Sequence, residues 1–154
     1  ASYWQMQEVA EGLRAQGYSL LVQGEASRNA LLTLHRERCT HDQPSILLGT
    51  GSFAEGLDLP GKLLTNLIIT KLPFAVPTSP IEGAQAEGIS ARGGKPFLQI
   101  TLPDASRKLV QACGRLIRQE ADHGRVIILD RRLVTRRYGG QLLAALPPFR
   151  RRIE

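Results

Sequence analysis

At 154 residues the chain is long enough for one domain with a real hydrophobic core. Its 42% hydrophobic and 22% charged residues are ordinary for a soluble globular protein, and no apolar run approaches the roughly 20 residues needed to span a bilayer. A formal charge of +6 favours polyanionic partners such as nucleic acid, and two cysteines far apart in sequence, Cys39 and Cys113, give neither a metal-ligand pair nor a disulfide framework. They are expected to be reduced, buried thiols in a cytoplasmic protein.

In chain order, residues 3–16 predict an amphipathic helix with Met6, Val9 and Leu13 on one face and Gly17 at the C-terminal cap. Ser19 to Val22 reads as a short buried strand. A second helix covers 27–39, with Ser27 as N-cap and Leu31 and Leu34 facing inward. Ile46 to Leu48 is a compact apolar strand, and a glycine-rich loop runs from Gly49 to Gly61. Thr65 to Thr70 is a third strand and Val126 to Leu129 a fourth. Between these two lie a helix near 80–91 and a stronger one at 104–118, where Pro103 suits the first turn. A last helix at 133–145 stops at Pro147-Pro148. Strands buried on both faces and separated by helices predict a parallel sheet in an α/β sandwich. Ligands of such sheets bind at loops beyond the carboxyl ends of strands, here those after Leu48, Thr70 and Leu129. An α/β domain of this kind usually opens on a strand. This chain opens on a helix, so a first strand is expected to be missing from it.

Two segments carry the chemistry. In the loop from Gly49 to Gly61, glycines let backbone amides approach a phosphate or ribose, and Thr50 and Ser52 offer hydroxyl donors. Glu55 and Asp58, three residues apart, are placed to face one side of a short helical turn. The loop lacks the Gly-Lys-Ser/Thr ending of a P-loop. By composition alone it reads more readily as a plain strand-to-helix turn. The second segment is Gln111-Ala112-Cys113-Gly114-Arg115-Leu116-Ile117-Arg118. On a helix, Gln111, Arg115 and Arg118 share a stripe, and Gly114 lets a partner pack close to it. Two forked, permanently charged arginines and a glutamine suit a triphosphate, or form a solvated basic face with Leu109, Leu116 and Ile117 on the core side. The arginines near the end, Arg131, Arg132, Arg136, Arg137 and Arg150 to Arg152, are either a phosphate-contacting face or a solvated helix and tail.

Taken together, these segments resemble a known family. Gly51-Ser52-Phe53-Ala54-Glu55-Gly56-Leu57-Asp58-Leu59-Pro60-Gly61 resembles motif V of the XPD/DinG helicases. Gln111 to Arg118 resembles their motif VI, Q-x-x-G-R-x-x-R. Ile68 to Phe74 looks like the strand and Leu-Pro-Phe loop between them. Arg125 to Arg132, with Tyr138-Gly139 behind, looks like the closing strand and helix. The resemblance covers essentially the whole chain and is nearest the bacterial DinG-like branch, within it the YoaA type.

The resemblance implies a RecA-like parallel sheet flanked by helices: residues 1–146 as the second RecA-like motor domain, and 147–154 as a basic tail. In this family ATP, with Mg2+, sits between two such domains. The first domain holds the Walker lysine and acid and, in many members, an iron–sulfur cluster that needs four cysteines; none of these is in this chain. Carried over, Arg115 and Arg118 reach the γ-phosphate as arginine fingers, and Gln111 couples that phosphate to domain closure. Gly56, Asp58 and Gly114 lie near the nucleotide, with Asp58 toward the ribose, and Glu55 braces the arginines. Thr50 and Ser52 touch the DNA backbone. Lys71 and Phe74 sit near the path of single-stranded DNA, although Phe74 reads equally as a core aromatic. The family moves 5′ to 3′, a polarity the sequence does not show. The tail, with Phe149, Arg150 and Arg151, is read as a dock for a replisome protein or for DNA, or as a disordered basic end. The competing function is a nucleic-acid-binding or protein-interaction module without ATP chemistry. A glycosyl- or phosphate-transferring enzyme would need a general base, and His35, His41 and His123 are not placed near either motif by spacing.

Overall fold

The computed structural model describes residues 2–75, 78–116 and 122–154. They fall in two compact units, Ala1–Leu67 with Arg115–Arg125, and Ile68–Gly114 with Val126–Glu154. Among the described residues no helix is long and apolar enough to cross a membrane.

The first unit opens with α1 (Tyr3–Ala15), whose start is fixed by a capping box. The Gln5 amide donates to the Ser2 hydroxyl and the Ser2 amide to the Gln5 side chain, both at 3.3 Å. Met6 and Ala10 are buried, whereas Val9 is 43% exposed. At about 100° per residue, Met6, Ala10 and Leu13 define the inward stripe and Val9 falls to its edge. β1 (Leu20–Val22) pairs in parallel with β2 (Ile46–Leu48), Leu20 opposite Ile46 and Val22 opposite Leu48. Side chains alternate across a strand, so the triplet Leu20-Leu21-Val22 builds two interiors. Leu20 and Val22 pack with Met6 and Ala10 of α1. Leu21 packs on the other face with Leu31 of α2 (Arg28–Thr40) and Phe53 of α3 (Gly51–Ala54). This is the helix–sheet–helix layering the sequence implied, each buried apolar side chain contributing about 1.5–3 kcal/mol. Ser27 caps α2 as predicted. Leu34 is 40% exposed, and the inward position four residues after Leu31 belongs to His35.

β3 (Asn66–Ile69) and β4 (Arg125–Ile128) form a second two-stranded sheet. The Arg125 amide donates to the Thr65 carbonyl and the Leu129 amide to the Ile69 carbonyl, both at 2.9 Å. An equal step on both strands in the same sense makes this pair parallel too. Among the described residues the strands thus form two parallel pairs rather than one continuous sheet. Strands of three and four residues give each pair only a short ladder.

In the second unit, α4 (Pro80–Ala91) starts on a Ser79–Glu82 capping box. A π-helical turn, Phe97–Thr101, then runs directly into α5 (Leu102–Gly114). Leu102, Ala105, Leu109 and Cys113, three and four apart, are the buried stripe of α5. Leu102, Leu109 and Cys113 meet Leu72, Leu133 and Leu142 in one core, with Val126, Ile128 and Phe149 packed around it. Both cysteines are free thiols; Cys39 is half-buried and Cys113 fully buried, and burial pushes the Cys113 thiol up to about 11.

The single helix predicted at 133–145 is two, α6 (Arg132–Thr135) and α7 (Gly139–Ala145). Arg136 is extended (φ −104°, ψ 145°). The chain folds back so closely that a Cβ on Gly139 would lie 1.9 Å from the Leu133 carbonyl oxygen, so no side chain fits there. Beyond α7, Phe149 packs against the core and Arg151 donates to the Leu143 carbonyl at 2.5 Å.

Candidate functional site

The loop after β2 is not one helical turn. α3 stops at Ala54, Glu55 is extended (φ −59°, ψ 131°), and Gly56 has φ 69°. The Leu57 amide donates to the Ala54 carbonyl at 3.2 Å. These angles and that bond make a type II turn, whose third position requires the positive φ that glycine takes without strain. Glu55 and Asp58 are therefore exposed on a turn and on the irregular segment after it, not stacked on a helix. The spacing of three had suggested a helix because the turn at Gly56 is invisible to periodicity.

Three side chains from outside the loop hold it. After β1, Gln23 accepts through Oε1 from the Thr50 amide at 2.8 Å and from Thr50 Oγ1 at 3.0 Å. Thr50 Oγ1 lies 3.0 Å from Ser52 Oγ. At the start of α2, the Arg28 guanidinium donates to the Glu55 carbonyl and sits 5.7 Å from the centre of the Phe53 ring. At the far end, His35 is only 5% exposed and both ring nitrogens are engaged, Nε2 with the Leu63 carbonyl and Nδ1 with Ser45 Oγ, each at 2.8 Å. A carbonyl only accepts, so Nε2 is the donor to Leu63. Leu63 ends the 3-10 turn Gly61–Leu63 that closes the loop. The histidine that spacing placed near no motif thus anchors one. Replacing His35 with alanine leaves a part-buried carbonyl and hydroxyl without their partner, at a cost of about 1–2 kcal/mol. Hydrogen exchange on the full-length protein checks this: amides of 61–65 are expected to lose protection, and unchanged exchange would show the anchor to be dispensable.

The second motif departs from its predicted form. α5 ends at Gly114, so Arg115 and Leu116 lie in a turn beyond the helix rather than on the stripe of Gln111. Glycine is among the weakest helix formers, which favours an end there. Gln111 is exposed, and among the described residues nothing crowds the Gly114 Cβ position. Leu116 is buried at 2% exposure and roots the turn. Arg115 is half-buried, and among the described residues its Nη1 is shut off from solvent without a hydrogen-bond partner, as is Arg38 Nη1 on α2. A guanidinium cannot discard its charge, so such a nitrogen favours an anionic acceptor. Arg118 and Ile117 lie outside the described residues.

Thr50, Ser52, Glu55, Gly56, Asp58 and Arg115 belong to the first unit; Lys71, Phe74, Gln111, Gly114 and the tail belong to the second. In the second unit Lys71 is exposed and Leu72 buried. The Phe74 ring lies 5.6 Å from Phe97 and 5.5 Å from Tyr138, and Arg132 sits 5.2 Å above it. Phe74 is therefore one ring of a cluster and not a lone ring. The residue that organises this loop was not singled out from sequence. Asp130, its side chain 7% exposed, accepts from the Leu72 amide at 2.9 Å and pairs with Arg132 at 2.6 Å. Those Arg132 and backbone hydrogen bonds hold its carboxyl well below the usual carboxylate range, against the opposing effect of burial. Among the described residues no cluster of three His, Cys, Asp or Glu side chains could hold a metal ion.

Residues 1–149 match the helicase C-terminal domain family. The ATP-dependent DNA helicase DinG of Photobacterium profundum is 60% identical over 158 residues, covering 100% of this chain and 23% of that protein. The DinG helicases of Salmonella choleraesuis and Escherichia coli (strain K12) are 47% and 45% identical over 130 residues, covering 84% of the chain and 18% of each protein. The chain thus spans about a fifth of the length of the relatives it matches.

Proposed function

The chain belongs to the helicase C-terminal domain family, in its DinG/XPD group, and on that premise we propose that it is the second motor domain of an ATP-dependent DNA helicase. It supplies one wall of an ATP site whose other wall is a first RecA-like domain. The observation that carries this reading is Arg115. A buried, unpartnered guanidinium nitrogen in a Q-x-x-G-R-x-x-R motif is what a γ-phosphate presented from a second domain would satisfy.

In this reading Arg115 and Arg118 stabilise charge on the transferring phosphoryl group, and Gln111 senses the same phosphate. Gly114, with open space at its Cβ position, lets the phosphates approach. Gly56 and Asp58 border the nucleotide, and Glu55 braces the arginines. ATP binding closes the two domains by giving the γ-phosphate partners on both; hydrolysis removes that bridge and reopens them. Thr50 and Ser52 contact the backbone of single-stranded DNA, with Lys71 and the edge of the Phe74 cluster further along its path. Mg2+ accompanies the triphosphate, and an iron–sulfur cluster, where the protein carries one, belongs to the first domain. The finer assignment to the YoaA-type branch rests on the motif resemblance. Because Phe149 packs inward, a replisome partner at the tail would rest mainly on Arg150 and Arg151.

A half-site hydrolyses nothing. The purified chain alone is expected to show no DNA-stimulated ATP hydrolysis, while the full-length protein turns over. Turnover by the isolated chain would overturn the two-domain site.

A further inference from the structure

We infer that Gln23 is a positioning residue for the DNA contact, holding Thr50 and through it Ser52 at the carboxyl edge of the β1–β2 pair. This rests on the reading above that the two hydroxyls meet a DNA phosphate.

The Gln23 amide donates to the Leu48 carbonyl at 2.9 Å, extending the ladder by one residue. Its side chain therefore leaves the sheet where the loop begins. The Thr50 amide can only donate, so the atom facing it is the Gln23 carbonyl oxygen, which fixes the orientation of the side-chain amide. The same oxygen accepts the Thr50 hydroxyl, which in turn lies 3.0 Å from Ser52 Oγ. Each hydroxyl has one proton. With that of Thr50 on Gln23, the proton between Thr50 and Ser52 comes from Ser52, and both hydroxyls point inward. A phosphate oxygen is an acceptor and needs a donor. When Ser52 turns its proton outward to it, Thr50 donates to Ser52, and Gln23 keeps the Thr50 amide. The heavy atoms stay where they are and only proton directions change, so the loop meets DNA already in place. Without the Gln23 oxygen, the Thr50 amide loses its partner and the hydroxyl pair its alignment.

The test uses the full-length protein, a single-stranded oligothymidylate and ATP. Gln23→Met, which keeps length and removes the acceptor, is expected to raise the oligonucleotide concentration for half-maximal ATP hydrolysis about tenfold, the size of one lost contact. The maximal rate and the KM for ATP are expected to stay within about twofold, a split that a general loss of structure does not give. Ser52→Ala is expected to act similarly, and the double variant no more than the worse single one, because both act through one chain of bonds. Additive penalties, a KM for ATP rising in step with the DNA requirement, or no change in Gln23→Met overturn the inference. A silent Ser52→Ala overturns the DNA contact it rests on. ATP turnover that survives Arg115→Ala overturns the motor reading instead, a separate outcome.

Discussion

Replacing Arg115 with alanine in the full-length protein is expected to lower DNA-stimulated ATP turnover by about a thousandfold, the low end of the range for arginine fingers. ATP affinity is expected to change by only a few-fold. The split follows from where charge develops. A finger aimed at the γ-phosphate gains most when the phosphoryl group is in flight, so its loss falls on kcat. Lysine at this position keeps the charge but loses the fork, and is expected to recover less than about a tenth of the turnover. Stopped-time phosphate release and nucleotide binding, measured on the same preparations, check both statements. Turnover within a few-fold of wild type would make the Arg115 turn a solvated or DNA-binding feature, and the chain a binding module. The buried, unpartnered Nη1 argues against the solvated alternative, because a basic face that served only water would leave its nitrogens in water. Arg38 shows the same condition outside both motifs, so burial alone does not make a finger; the motif and the burial together support one.

Local patterns in the sequence revealed the fold far better than they revealed the site. β2 at Ile46–Leu48 and α4 at Pro80–Ala91 lie where the sequence reading places a strand and a helix. Both are set by neighbours within a few residues: an apolar triplet bounded by Pro44 and Gly49, and Ser79-Pro80 with Glu82 behind. The failures have the opposite character. The break between α6 and α7 depends on backbone passing over backbone at Gly139, a tertiary contact that helical periodicity cannot register. A spacing of three fits Glu55 and Asp58 to a helical turn, whereas the Gly56 turn sets their geometry.

The anchors of the site were hidden for a related reason. Gln23 reaches Thr50 across 27 positions, His35 reaches Leu63 across 28, and Asp130 reaches Leu72 across 58. None belongs to a motif that names its chemistry. The one sequence-level signal was position: Gln23 follows β1 directly, and Asp130 lies two residues past β4, where parallel sheets gather their ligand loops. A search of every polar residue at a strand's carboxyl end would have found both.

Asp130 carries the second large effect. Its carboxylate joins the end of β4 to the Lys71-Leu72-Pro73-Phe74 loop by accepting from the Leu72 amide and from the Arg132 amide and guanidinium. Asp130→Ala removes all of these at once. It leaves the Leu72 amide without its acceptor and Arg132 above the Phe74 ring without its counter-ion. The expected cost is about 3 kcal/mol, from several charge-assisted bonds of which the Arg132 side is 41% exposed and screened. Asp130→Asn keeps an acceptor but not the paired charge, and is expected to cost less. The pH dependence has a definite sign. The folded pKa lies below the unfolded value of about 3.9, so the stabilisation is complete above that value and drains away as pH falls toward the folded pKa. Wild type should therefore lose its advantage over Asp130→Asn only below about pH 4, read as protection of the 70–75 amides at stepped pH. An advantage already lost at neutral pH would mean that the loop is held by its buried Leu72 and ring cluster, with the carboxylate a bystander. Protection equal in Asp130→Ala and wild type would say the same at every pH.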